Sequence, residues 1–332
     1  MQILFVCDPL ESFKPYKDST VAMMRAAQKR GHGVWACGPD DLQISWQGSA
    51  QAFRIEAQRL RLLPVQASAS APWVSIDETR LLQPSDIHLA IMRKDPPFDV
   101  HYLVATQMLD RLMSHGVPVI NRPQALRDHG EKMAVLEFAE LAPPGMVSHD
   151  MASLRAFAEE HPQVVFKPLD AMGGAGIFLS HAKDPNLPVI LETLTEHGQR
   201  AIMGQRYLPE IAQGDKRILL INGEAVPYCL ARIPPEGASR GNLAAGGRGE
   251  ARPLTDRDQE IARQLGRILA ARGLFLIGLD VIGNCLTEIN VTSPTGFQEI
   301  TQQTGYDVAE KFVTALEAQF GAAPEAPHRA QP

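Results

Sequence analysis

The first 121 residues alternate short apolar runs with helical stretches, and this constrains the fold most. Ile3 to Cys7 is apolar and stops at Asp8-Pro9, the pattern of a buried parallel strand with a loop at its carboxyl end. Ser19 to Arg30 reads as a helix, with Ser19 as N-cap and Gly31 as stop. Val34–Cys37 is a second strand. Ile87–Met92 is a third and ends in Arg93-Lys94-Asp95-Pro96-Pro97; a helix over Val100–His115 and a strand over Pro118–Asn121 follow. This alternation implies an α/β unit with a mainly parallel sheet, whose ligands bind at the carboxyl ends of the strands. Asp8 and Arg93 stand there. Between Asp40 and Pro84 the pattern weakens to one strand near Ala52–Arg61 and a polar loop.

The remainder alternates differently. Pro123 opens a helical region through Glu140, and Ser153–His161 is a further helix. Gln163–Leu169 is a strand carrying Lys167 near its end, and Ile177–Ser180 a strand beyond it. Leu187–Glu196 is helical and Ala201–Leu208 strand-like. Arg217–Ile221 and Ala225–Arg232 flank Asn222-Gly223, a strong hairpin signal. Thr255–Arg272 is an amphipathic helix, Leu274–Asn290 a second hairpin, and Asp307–Phe320 the last helix.

At 332 residues the chain is long enough for a large core and about two folding units. Its net charge of −6 gives no global basic field for nucleic acid. No run approaches the ~20 apolar residues of a membrane helix, and the start has no basic segment of a signal peptide. Cys7, Cys37, Cys229 and Cys285 form no CxxC pair, so buried, reduced thiols in a cytoplasmic protein are expected.

Several groups carry chemistry. Gly173-Gly174-Ala175-Gly176 follows a strand, where glycines let backbone N–H groups approach phosphate oxygens. It is neither a Walker A loop nor a dinucleotide fingerprint. Lys167 and Lys132 could offset phosphate charge there. Glu288 and Asn290 alternate on one strand and face one way. With Asp280 they offer two carboxylates and an amide oxygen, a donor set suited to Mg²⁺. A two-residue turn at Gly283-Asn284 would set Asp280 opposite Thr287; an odd loop centred on Asn284 would set it opposite Glu288, which is the expectation. The segment Gly237–Gly249 has five glycines and two arginines, Arg240 and Arg248, the composition of a lid that closes over a phosphorylated intermediate.

Taken singly these features are weak, but their order is specific. Met92-Arg93-Lys94-Asp95-Pro96-Pro97-Phe98-Asp99, Lys167-Pro168-Leu169-Asp170, Arg240 to Gly249 and Thr287-Glu288-Ile289-Asn290-Val291-Thr292-Ser293-Pro294-Thr295 together resemble the bacterial glutathione synthetases of the ATP-grasp superfamily, over about residues 1–317. The resemblance implies an ATP-grasp fold: an N-terminal α/β substrate domain over 1–122, then α+β units over 123–203 and 204–320 that enclose ATP. It places a lid loop at 233–249, before a disordered tail over 321–332. It implies that γ-glutamylcysteine is joined to glycine through an acyl phosphate, with ATP converted to ADP and phosphate. Lys132, Lys167, Gly173 and Gly174 would hold phosphates, and Gln205, Arg206, Tyr207 and Leu208 the adenine. Asp280, Glu288 and Asn290 would bind Mg²⁺, with Mn²⁺ as a substitute. Arg217 and Arg240 would be catalytic; Arg93, Arg248, Ser293 and Thr295 would meet substrate. A homo-oligomer, a tetramer by resemblance, is expected, with no nucleic acid or membrane partner. The pattern departs at Ala171, where a glycine is expected, and at Gly296-Phe297-Gln298-Glu299, where some relatives carry an arginine. The rivals are another ATP-grasp carboxylate–amine ligase, of the D-alanine–D-alanine ligase or glutamate-adding kind, and a non-catalytic nucleotide sensor.

Overall fold

A computed structural model describes residues 1–64, 72–236, 241 and 246–321. Tail residues 322–332 and most of the expected lid, Arg240 included, lie outside the described residues.

The first unit holds β1 (Gln2–Val6), α1 (Ser19–Lys29), β2 (Gly33–Cys37), β3 (Leu42–Gln47), β4 (Ala50–Leu62), β5 (Val74–Leu82), β6 (Leu89–Met92), α2 (Val100–Ser114) and β7 (Val119–Ile120). Strands β2, β1, β6 and β7 are parallel neighbours, as the alternation required; β4 joins β2 antiparallel and carries β3 and β5. The stretch read as a polar loop is therefore partly strand. Most of β5 is exposed, so it shows no apolar alternation, and pairs such as Arg61–Asp77 at 3.1 Å line its ladder. The cap of α1 is Asp18, not Ser19: the Asp18 carboxylate accepts from the N–H groups of Thr20 and Val21.

Next come α3 (Pro123–Asp128), β8 (Gly145–Ser148), α4 (Met151–Glu160), β9 (Val164–Pro168), β10 (Phe178–Ser180), α5 (Leu187–Leu194) and β11 (Ile202–Arg206). Strands β10, β9, β11 and β8 form a four-stranded antiparallel sheet. The helix expected from Pro123 to Glu140 is broken. After α3 the chain turns at Glu131, whose carbonyl accepts from the Ile289 N–H at 2.9 Å, and a 3-10 segment, Met133–Leu141, follows.

The last unit contains β12 (Asp215–Ile221), β13 (Glu224–Ile233), β14 (Arg248–Pro253), α6 (Asp256–Ala271), β15 (Leu276–Ile282), β16 (Cys285–Asn290), α7 (Phe297–Thr304) and α8 (Val308–Phe320). Its strand order is β14-β13-β12-β15-β16. Asn222 and Gly223 both have positive φ, as the tight turn between β12 and β13 needs. Thr255 and Asp258 cap α6 reciprocally. Helix α7 had no counterpart in the sequence reading; its start at Gly296 hides within the motif that ends β16.

Two apolar clusters each draw residues from the first and last units: Leu4 and Val6 with Leu279 and Ile289, and Ile3 and Phe5 with Leu219 and Phe297. The middle sheet has its own cluster, built on Leu154, Phe166, Leu191 and Ile202. Cys7, Cys37, Cys229 and Cys285 are free thiols, and among the described residues no helix is long and apolar enough to cross a membrane.

Candidate active site

Two cavities meet between the middle and last sheets. The first, of about 800 Å³, is lined by Lys132, Lys167, Gly173, Gly174, Gln205, Arg206, Tyr207 and Leu208. Every residue assigned to ATP from the sequence thus faces one space. Lys167 lies near the end of β9 and Gln205–Leu208 run along and beyond the neighbouring β11. Gly173, Gly174 and Gly176 have positive φ, and a Cβ at Gly176 would stand 2.9 Å from Pro168 Cγ, so the loop between β9 and β10 needs glycine at these positions. Ala171 is not among the residues with positive φ, which is why alanine is admissible there. Its carbonyl accepts from Lys132 Nζ at 2.8 Å.

Lys132 and Lys167 are both buried, and their ammonium groups stand 3.7 and 3.3 Å from Glu288 Oε1. Burial disfavours the Glu288 charge, but Lys167 and Lys132 outweigh it and hold the carboxyl below its usual range. Glu131, also bonded to Lys132 at 2.7 Å, is pushed up to about 7 by burial and by Glu288 beside it.

The second cavity, of about 1230 Å³, shares Glu131, Gly173 and Glu288 with the first and adds Arg217, Arg232, Asp280, Asn290, Ser293 and Thr295. Asp280 lies opposite Glu288 across β15 and β16, as expected, but through a different device. The turn is the two-residue one, with Ile282 opposite Cys285 and Val281 opposite Leu286; a bulge at Thr287 then supplies the extra residue. Thr287 Oγ1 donates to the Asp280 carbonyl at 3.1 Å. Burial works against the Asp280 charge, yet Arg217 and Arg232 hold its carboxyl well below the usual range. Arg217 Nη2 donates to Asp280 Oδ2 at 2.9 Å and Arg232 Nη2 lies 2.8 Å from the same oxygen. Asn290 Nδ2 lies 3.2 Å from it.

Glu288 at the junction, with Asp280 and Asn290 on the wall of the second cavity, offers two carboxylates and an amide, a donor set of the type suited to Mg²⁺. Ser293 Oγ bonds to Asp95 of the first unit, and exposed Thr295 lines the same wall. Two other sequence candidates lie apart. Arg93 is buried beneath the wall, donating to Thr20 Oγ1 at 3.0 Å and to the Pro294 carbonyl at 3.2 Å. Arg248 is mostly exposed and pairs with Glu250 at 3.3 Å.

Sequence reasoning missed Arg232, Asp215 and Glu131. Asp215 precedes Arg217 by two on β12 and so shares its face. Arg232 stands opposite Asp215 on β13 and bonds to its carboxylate. Strand alternation could have found Asp215. Glu131 had no signal beyond its place beside Lys132.

Solved structures share this fold. A D-cycloserine synthetase superposes with a TM-score of 0.66 at 14% identity, covering 96% of this chain and 99% of that one. An ATP-grasp ligase complexed with a phosphomimetic variant of a minimal precursor, Mg and ADP gives 0.61 at 18% identity, covering 96% and 98%. These likenesses show the fold; the class, an ATP-dependent ligase with an ATP-grasp domain, follows from the family models and relatives. Models of the prokaryotic glutathione synthetase N-terminal and ATP-grasp domains match residues 1–127 and 131–305. Glutathione synthetases of Ralstonia nicotianae and Neisseria meningitidis are 50% and 49% identical, covering 97% and 95% of this chain and 97% and 98% of their own. The chain belongs to the prokaryotic glutathione synthetase family.

Proposed function

We propose that the enzyme joins the cysteinyl carboxylate of γ-glutamylcysteine to the amine of glycine, using ATP as co-substrate. One observation carries this reading: the nucleotide cavity opens, past Glu288, onto a cavity walled by Arg217 and Arg232 on one side and Asp95 on the other. A carboxylate held in the second cavity faces the phosphate end of a nucleotide held in the first. Its oxygen attacks the γ-phosphorus, ADP leaves, and an acyl phosphate forms. The glycine amine then attacks the acyl carbon, the C–O bond to phosphate breaks, and phosphate departs while the amine loses a proton.

In this reading Lys132 and Lys167 neutralise the nucleotide phosphates, the N–H groups at Gly173 and Gly174 cradle them, and Gln205–Leu208 hold the adenine. Asp280, Glu288 and Asn290 would hold Mg²⁺, or Mn²⁺ in its place, which supplies charge neutralisation at the phosphates. Arg217 stabilises charge on the transferred phosphoryl group. Ser293 and Thr295 meet the peptide, while Arg93 sets the wall behind them. Arg240 and Arg248 belong to the segment proposed to cover the intermediate. The division at 122 and 203, a homo-oligomeric assembly and a cytoplasmic location belong to the same proposal.

The test is phosphate release with ATP, Mg²⁺ and each candidate acid and amine in turn. Turnover confined to γ-glutamylcysteine with glycine is expected, and ¹⁸O placed in the acid carboxylate should emerge in phosphate. Turnover with another acid–amine pair instead, or label absent from phosphate, refutes the reading.

A further inference from the structure

Two charged side chains that line the substrate cavity play no part in the chemistry above. Lys17 lies in the segment leading into α1, and Glu299 on the first turn of α7. One charge comes from the first unit and the opposite one from the last. Neither side chain makes an ion pair or a hydrogen bond among the described residues. Burial raises the Glu299 carboxyl above its ordinary range, and Lys17 nearby opposes this.

Helix α7 grips the segment that carries Lys17. Gln298 Nε2 donates to the carbonyls of Pro15 at 3.0 Å and Asp18 at 2.6 Å, one on each side of Lys17. One turn further on, Gln302 Nε2 donates to the Tyr16 carbonyl at 3.2 Å. The Phe297 N–H donates to Ser19 Oγ at 3.2 Å. The chain is thus held on both sides of Lys17, whose exposed side chain reaches the cavity. Gln298 makes two of these bonds, and it lies in the Gly296–Glu299 stretch where the sequence departs from the family pattern.

We propose that Gln298 is a positioning residue for recognition of the acid: it holds Lys17 against the α-carboxylate of the γ-glutamyl end, while Glu299 accepts from the α-ammonium. The inference rests on the ligase reading and deepens it. An unpaired cation and an unpaired carboxylate in one cavity complement a zwitterion, and γ-glutamylcysteine carries one at the end away from its reacting carboxylate. Glycine is a poorer match. Its amine must lose a proton to attack, and a carboxylate beside the ammonium would keep it protonated.

Steady-state kinetics of the whole enzyme test this with γ-glutamylcysteine, with N-glutarylcysteine, which lacks the ammonium, and with 4-aminobutyrylcysteine, which lacks the α-carboxylate. Gln298→Met keeps the length of the side chain and removes the donor. Lys17→Met removes a charge at an exposed position that the fold does not depend on. In both, the KM for γ-glutamylcysteine should rise about tenfold, the size of one lost charge-assisted contact. The kcat and the KM values for ATP and glycine should stay near wild type. The rise should vanish with 4-aminobutyrylcysteine, and for Glu299→Gln it should vanish with N-glutarylcysteine. An unchanged KM for γ-glutamylcysteine in Gln298→Met or Lys17→Met, an equal rise for all three acids, or a raised KM for glycine would each overturn the inference while leaving the ligase reading intact. A wild type that joined no γ-glutamylcysteine to glycine would overturn both.

Discussion

Single atoms decide the geometry around Asp280. Gly278, two residues earlier on β15, is where the Arg217 side chain crosses the strand. A Cβ there would lie 2.7 Å from Arg217 Cδ, 3.0 Å from Arg217 Nε and 2.9 Å from Pro294 Cβ. Arg217 and the segment that carries Ser293 and Thr295 are thus packed against one missing methyl group. Gly278→Ala should lower kcat on the order of tenfold to a hundredfold through misplacement of Arg217, with the KM for ATP near wild type and folding preserved; steady-state kinetics beside a thermal melt would check it, and an unchanged kcat would separate Arg217 from the chemistry. Glu288→Gln keeps shape and removes one charge from the proposed metal face. Turnover should fall by at least ~100-fold, in line with losing a principal electrostatic element of phosphoryl transfer. A magnesium titration that restored full rate would remove Glu288 from the site.

At the scale of strands, the last sheet presents a row of charges that face opposite signs until β15 meets β16, where two carboxylates stand together. Arg232 on β13 stands opposite Asp215 on β12, Arg217 on β12 opposite Asp280 on β15, and Asp280 opposite Glu288 on β16. Asp215 is the row's soft point: burial outweighs Arg232 and pushes its carboxyl up to about 7. Between about 3.8 and about 7 the folded chain therefore holds a proton that the unfolded chain has released, so this group's contribution is present at low pH and is lost as pH rises through about 7. Melts of the nucleotide-free protein from pH 5 to 8 should show that downward slope, and Asp215→Asn should flatten it. A slope unchanged in the variant would assign the titration elsewhere. Much of this row was legible, because the spacing of Glu288 and Asn290 on an apolar strand fixes their shared face. The bulge at Thr287 was not: two loop lengths satisfy the same pattern, and a local hydroxyl–carbonyl bond settled the register. The lysines were legible only as a set, since a lysine at a strand end reads as solvated until the glycine loop and the carboxylates close around it.

The whole molecule is held together in an uneven way. The first and last sheets share two apolar clusters, whereas the middle sheet keeps its own. Asn121, after β7, adds a polar seam. Its amide donates to the carbonyls of Leu276 and Val291, each at 2.7 Å, and its oxygen accepts from the N–H groups of Phe275 and Leu276. Asn121→Ala strands these buried backbone groups at ~1–3 kcal/mol for each left unmatched, so a loss of several degrees or more in Tm is expected; a melt within a degree of wild type would show that the seam is dispensable. In the sequence Asn121 marked only a boundary between units, because a contact partner 155 residues away leaves no local trace.

The seam joins the end of β7, which lies beside the strand leading to Asp95, to the hairpin that bears Asp280 and Glu288. In the proposed reading, acid substrate and metal-binding carboxylates would therefore be presented by a single body, with their mutual orientation fixed when the chain folds. The collision between acid and nucleotide loses much of its orientational freedom beforehand, which raises the effective molarity of the attacking oxygen. In that reading the nucleotide's contacts with Lys167 and the glycine loop come from the middle sheet, whose apolar cluster is separate from the one that aims the acid.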